Sequence, residues 1–237
     1  EHHTCSGHTI IPGNGLYGGD PTSRTRFMMV KGANVRENFA TNAVMPGDLS
    51  DLGGEHINIA PKASEVLQES GDVWSLAWTA ASGYGDPLER VPEMVIQDIE
   101  ESYITSDWAR ARCGVCIDDE GELDINKTTT LREQMRQQRL SDATGLQGAR
   151  VSVPETADEV PVSEGLVVCT SPEGSCYVCR KCRTRIQAAE ENFKTGCLKK
   201  ETPVEEVGLS PIDPELFIDD KIVYKEYICP GCGLILQ

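Results

Sequence analysis

The run Cys176-Tyr177-Val178-Cys179-Arg180-Lys181-Cys182, answered by Cys229-Pro230-Gly231-Cys232-Gly233, decides how this chain is read. Each stretch holds a Cys-x-x-Cys pair, and the segment between them is long enough to fold back. Two such turns bring four thiolates to one point, in the tetrahedral cage that Zn²⁺ takes at about 2.3 Å from each sulfur. Gly231 and Gly233 suit the second turn, because glycine tolerates positive φ where backbone amides curl round a sulfur. Cys179, Cys182, Cys229 and Cys232 are therefore the expected ligands. Cys176 is the alternate, replacing Cys179 as a less regular partner of Cys182. Cys169 and Cys197 stand far enough away to be core residues. A closed, structural zinc site is the expectation; an iron–sulfur cluster also accepts four thiolates, and the spacing leaves it open.

Working outward, the ten cysteines sit largely in x-x-spaced sets, which fits metal ligation in a reducing cytosol better than a disulfide framework. A cytoplasmic protein is expected, with no secretion signal and no apolar run of the roughly eighteen residues a membrane span needs. The formal net charge is -16, from 22 basic and 38 acidic residues. That balance opposes nucleic-acid binding, which needs clustered Lys and Arg against phosphates. The one basic cluster, Arg180, Lys181, Arg183 and Arg185, reads as solvated charge around the first knuckle. Aromatic residues make up only 5%, with 22 Gly and 13 Pro, so the core is modest and the loops are many. Such a composition suits a component of something larger.

The fold class read from this pattern is α+β: a mainly β and loop N-terminal region with short helices, followed by a small zinc-ribbon-like domain. Residues 1–65 carry no convincing helix, and glycine and proline punctuate the opening. Strands are expected at 27–30, at 44–49 before a turn, at 55–60 by alternation, and at 73–79. Glu1, His2, His3, Cys5 and His8 match no metal signature and read as solvated loop or interface. Asp86 and Pro87 sit where a helix begins, as cap and first residue, with Leu88, Val91, Val95, Ile96 and Ile99 at helical spacing and a break at Pro92. A second short helix from Ser106 ends at Gly114. The acidic turn 118–122 lacks the ligand schedule of a calcium loop. Residues 124–139 predict a polar helix with Leu131 and Met135 inward and a basic face of Arg132, Arg136 and Arg139. The domains are then 1–145, a linker over 146–165, and a zinc-binding domain over 166–237. In that last part, strands are expected from Leu166 and from Ile222 into Cys229, with a helix around 186–193 leaving the first knuckle.

No nucleophile elbow, His-Glu-x-x-His segment or phosphate cradle is present, so no catalytic residue is assigned. The turn 80–88 contains glycine but no lysine and is no P-loop. His56 has the pKa range of a base but stands alone on an alternating strand. Asp86 and Glu89 read as paired carboxylates or, equally well, as a cap and a helix-surface residue.

The stretch Ala81-Ser82-Gly83-Tyr84-Gly85-Asp86-Pro87-Leu88-Glu89-Arg90-Val91-Pro92-Glu93 resembles the signature near the C-terminus of hydantoinase B-type subunits. That family includes 5-oxoprolinase, N-methylhydantoinase and the large subunits of acetone and acetophenone carboxylases. Leu16-Tyr17-Gly18-Gly19-Asp20-Pro21 resembles the family's aromatic-Gly-Gly loop, and Met45-Pro46-Gly47-Asp48 and Gly71-Asp72 follow in the expected order. The likeness covers about residues 1–140. It departs at Ala80, Ala81 and Ser82, where the family carries several glycines, and a full subunit of this kind is much longer, with its metal-binding residues toward its N-terminal half. The tail, through 189–194 and Tyr227-Ile228-Cys229-Pro230-Gly231-Cys232-Gly233, resembles the small zinc-containing subunit of acetone carboxylase-type enzymes.

The resemblance implies a fused accessory subunit of a multisubunit, ATP-dependent ketone carboxylase, making a 3-oxo acid from a ketone and bicarbonate. It implies hydantoinase A-like and hydantoinase B-like large subunits as partners, with ATP and a divalent metal held by those partners and no catalysis by the isolated chain. His56, Tyr84, Asp86, Glu89 and Arg90 are the interface or substrate-channel candidates. The other readings are a subunit of a hydantoinase or 5-oxoprolinase-type cyclic-amide hydrolase, and a non-enzymatic zinc-ribbon interaction protein.

Overall fold

Residues 1–5, 7–43, 45–145, 151–155, 158–207 and 213–237 are described by a computed structural model. They form the α+β mixture the sequence predicts, mostly short strands and loops with a few helices. None of those helices is long and apolar enough to cross a membrane. Parts of the expected linker, 146–150 and 156–157, lie outside the described residues. The chain divides into two compact units.

The first unit comprises Glu1–Gly13, Pro21–Ala81 and Pro203–Val223. Strand β1 (His2–Cys5) runs ahead of β2 (Arg26–Lys31), helix α1 (Val35–Asn42), β3 (Glu55–Ile59), β4 (Lys62–Val66) and β5 (Val73–Ala77). β2 is the centre of an antiparallel sheet ordered β3-β2-β5, and β1 pairs with β4. Alternation along β2 and β3 sends Phe27, Met29 and Ile59 into one small core, against Ile57, Val66 and Trp74. His2 is stacked on Trp74 at 4.2 Å between ring centroids, and His3 Nε2 lies 3.5 Å from Glu1 Oε1. α1 is a correction, since no helix was expected before residue 65. It lacks a strong apolar stripe, leaves Phe39 exposed, and is closed by Ala43 in the left-handed region donating to the Phe39 carbonyl at 2.8 Å. The strand expected over 44–49 is a second correction; Val44 lies outside the described residues, and Asp48 instead opens a single 3-10 turn, Leu49–Asp51, through a reciprocal capping box.

The second unit comprises Asn14–Asp20, Ser82–Thr202 and Tyr224–Gln237. Asp86 caps a 3-10 turn at Pro87–Glu89, and α2 (Pro92–Glu100) follows with its proline in the first turn. α3 (Ser106–Trp108) continues into a π-helical turn that Gly114 closes at φ 62°. α4 (Ile125–Asp142) starts where Asp124 accepts from the Lys127 amide. Val95, Ala109, Cys113 and Val115 form the core under these helices.

A four-stranded antiparallel sheet then runs β6 (Glu159–Pro161), β7 (Leu166–Ser171), β8 (Gly174–Cys179) and β9 (Arg185–Ala188). β10 (Leu198–Pro203) pairs with β11 (Val223–Ile228). β9 corrects the helix expected over 186–193. Tyr177 pairs with Gln187 and Cys176 with Ala188, so strand pairing along β8 outweighs local helix preference. Only the short 3-10 turn Phe193–Gly196, capped by Asn192, remains helical there.

Candidate metal centre

Two strands deliver the cysteines. β8 ends on Cys179 and β11 ends one residue before Cys229, so each knuckle begins where a strand stops. The two turns are built alike. The Cys179 amide donates to the Thr184 carbonyl at 2.9 Å and the Arg183 amide donates back to the Cys179 carbonyl at 2.9 Å. In the second knuckle the Cys229 amide donates to Leu234 at 2.8 Å, and the Gly233 amide to Cys229 at 3.1 Å. Arg183 and Gly233 stand at equivalent places and share a left-handed backbone, at φ 64° and 73°.

That conformation costs Gly233 little but Arg183 about 1–2 kcal/mol. Arg183 is held there by its side chain. Its Nε donates to the Val153 carbonyl at 3.1 Å and Nη2 to that of Pro154 at 3.0 Å, while the guanidinium pairs with Glu159 on β6. Gly231 answers a different need from the positive φ expected of it. A Cβ there would fall 2.1 Å from Thr184 Oγ1 and 2.8 Å from Cys182 Sγ, so it is space between the two knuckles that demands glycine.

The Sγ atoms of Cys179, Cys182, Cys229 and Cys232 all lie within 4.8 Å of one another. Cys179 and Cys232 are 3.8 Å apart, Cys182 and Cys229 3.6 Å. Metal–sulfur bonds of about 2.3 Å in a tetrahedron set sulfurs about 3.8 Å apart, so the spacing fits a zinc-sized ion. Thiols this close do not ionise independently. Contacts with Cys179 and Cys229 hold Cys182 below the usual thiol range, and contacts with Cys179 push Cys229 and Cys232 above it. A divalent cation would let all four be thiolates. The Gly231 amide donates to Cys229 Sγ at 3.3 Å, and Thr184 Oγ1 lies 3.2 Å from Cys182 Sγ. Buried Leu166, Ile186, Leu234 and Leu236 surround the set. Four protein ligands leave no open position, so a metal here would cross-link two turns and supply no substrate chemistry.

The other cysteines near the knuckles stay outside the cluster. Cys176 sits opposite Cys169 in the β7–β8 register, with Cys169 buried beside Arg183 and Glu159. Cys197 lies in the core under the knuckles, where burial pushes its thiol up to about 12.

The remaining candidates fall in different places. His56 is on β3 in the first unit, its Nε2 3.0 Å from the Leu52 carbonyl oxygen. The other four are in the second unit. Tyr84 is exposed, meets Tyr17 edge-on at 5.5 Å, and donates to Glu164, which raises its phenol pKa. Glu89 pairs with Arg136 and Lys181, and Arg90 with Asp98. Asp86 is enclosed, gripped by Arg139 through both carboxylate oxygens at 2.6 and 3.0 Å. The basic face of α4 thus points inward, with Arg132 also donating to the Cys113 and Arg90 carbonyls at 2.9 and 2.7 Å. Sequence spacing marked these arginines as a face but could not say what they hold.

Known proteins share both parts of this chain. Residues 154–237 match the family of the acetone carboxylase gamma subunit. The last third of the chain is gamma-like. The B component of a putative D-/L-hydantoinase from Pseudomonas sp. (strain NS671) is 37% identical over 79 residues, which is 33% of this chain and 13% of that protein. The chain therefore spans about an eighth of that relative's length. Among solved structures, nucleotide-free acetone carboxylase shares 28% identity with a TM-score of 0.44, covering 55% of this chain and 19% of that one. The family match and the hydantoinase relative agree with the expected fusion of a hydantoinase B-like segment and a gamma-like domain.

Proposed function

We propose that this chain is a structural accessory component of a multisubunit, ATP-dependent ketone carboxylase of the acetone or acetophenone type. In this reading the assembled enzyme joins a ketone and bicarbonate into a 3-oxo acid, with nucleotide and a divalent metal bound by hydantoinase A-like and hydantoinase B-like partners in the cytoplasm. The observation that carries it is the pairing, on one chain, of the gamma-family match over 154–237 with the hydantoinase B-like segment. Cys179, Cys182, Cys229 and Cys232 hold a structural zinc, which the sulfur spacing supports. No catalytic residue is assigned to this chain.

Native mass spectrometry of the complex purified through this chain, with metal analysis, tests the proposal. Larger partners, about one zinc per chain, and bicarbonate-dependent loss of ketone by the complex are expected. A fully active monomer would defeat it. The hydantoinase relative favours a second reading, a cyclic-amide hydrolase component. Ring opening of a hydantoin without bicarbonate would select that one.

A further inference from the structure

The second knuckle does more than present two cysteines. Residues 233–235 alternate between two tasks. The Gly233 amide and the Leu234 carbonyl close the turn on Cys229. The Gly233 carbonyl accepts from Arg139 Nη1 at 3.3 Å, and the Ile235 amide donates to Asp86 Oδ2 at 3.0 Å. A Cβ on Gly233 would come within 2.7 Å of the Arg136 carbonyl oxygen, so α4 lies directly against this strand of backbone. Asp86 also accepts from Leu88 at 2.9 Å, and its side chain is 1% exposed. A carboxylate this buried requires every one of its donors, and one of them comes from the knuckle.

We infer that the backbone at 233–235 is the docking surface for the Gly85-Asp86-Pro87-Leu88-Glu89-Arg90 turn, and that this docking depends on the metal. The inference rests on zinc binding by the four cysteines. The metal fixes where the knuckle's carbonyl and amide point; the Arg139–Asp86 pair reads that position and holds the turn. Asp86 and Arg139 are positioning residues, acting through the backbone of the knuckle. In a chain where a gamma-like part follows a hydantoinase B-like part, this buried contact joins the two, beside the more exposed pairs Tyr84–Glu164 and Glu89–Lys181. Coupling is reciprocal: if zinc tightens the turn, the turn tightens zinc by the same factor.

The test is hydrogen exchange by mass spectrometry on the full chain, zinc-loaded and then stripped by a chelator, with zinc content measured in both. Stripping is expected to speed exchange in 229–236 and in 82–90 together, leaving 26–31 and 73–77 unchanged. Asp86→Asn is expected to weaken zinc about tenfold in chelator competition. Exposure of 229–236 with 82–90 still protected would overturn the docking, as would wild-type zinc affinity in Asp86→Asn. Melting of 92–142 along with both segments would also count against a local contact. A chain that binds no zinc at any concentration would remove the metal reading itself, and the inference with it.

Discussion

Gly231→Ala is the sharpest probe of the metal centre. The added methyl would sit 2.1 Å from Thr184 Oγ1, 2.8 Å from Cys182 Sγ and 2.9 Å from Thr184 Cβ. Thr184 is buried and follows the first knuckle directly, so its side chain has no free room to retreat. Overpacking of this kind costs about 1–3 kcal/mol. The strain falls on the approach of the two knuckles, hence on the bound state, and about 1.4 kcal/mol corresponds to a tenfold change in affinity. Zinc affinity should therefore fall about tenfold to a hundredfold, read by competition with a chromophoric chelator. Adding Thr184→Ala removes the nearest atom and should recover part of the loss. Wild-type affinity in Gly231→Ala would refute the account of why glycine stands there.

Further outcomes are expected. Cys176→Ser should keep about one zinc per chain, whereas Cys182→Ser should lose it, as metal analysis will show; equal losses would restore Cys176 as a ligand. Arg183→Gly relieves the left-handed backbone but removes the bonds to Val153, Pro154 and Glu159, so it should lower stability by about 1–2 kcal/mol in urea unfolding. A more stable variant would mean that the strain outweighs the anchor. Burial raises the Cys113 thiol above its ordinary value of 9.0. The unfolded thiol ionises first, so its contribution is whole below pH 9.0 and is lost as pH rises through the folded value. Cys113→Ala should flatten the alkaline fall in stability, and an unchanged slope would assign that fall elsewhere.

Much of the site was legible locally. The Cys-x-x-Cys spacing, the capping Asp86 with Pro87, the strand entering Cys229 and the left-handed stop at Gly114 are each written within a few residues. The strands at β2, β3 and β5 were expected over 27–30, 55–60 and 73–79, whereas their order in the sheet was not. Where the reading failed, the local signal was weak or overruled. α1 has little apolar stripe to announce it, and β9 carries a sequence that reads as helix until β8 offers it backbone partners. In β8 itself the metal spacing of the cysteines is superimposed on strand alternation and masks it.

By itself, the sequence singled out Cys179, Cys182, Cys229 and Cys232 as the candidate ligands, because two tight turns and their four sulfurs need only short-range geometry. What the second knuckle touches was decided by the tertiary structure. Asp86 and Ile235 are 149 positions apart, and Arg139 joins them from a third place in the chain. Periodicity identifies a basic face but not the buried carboxylate and carbonyls that face it. Those partners are fixed only when the chain closes, because a buried charge must then find every hydrogen bond it has lost to water.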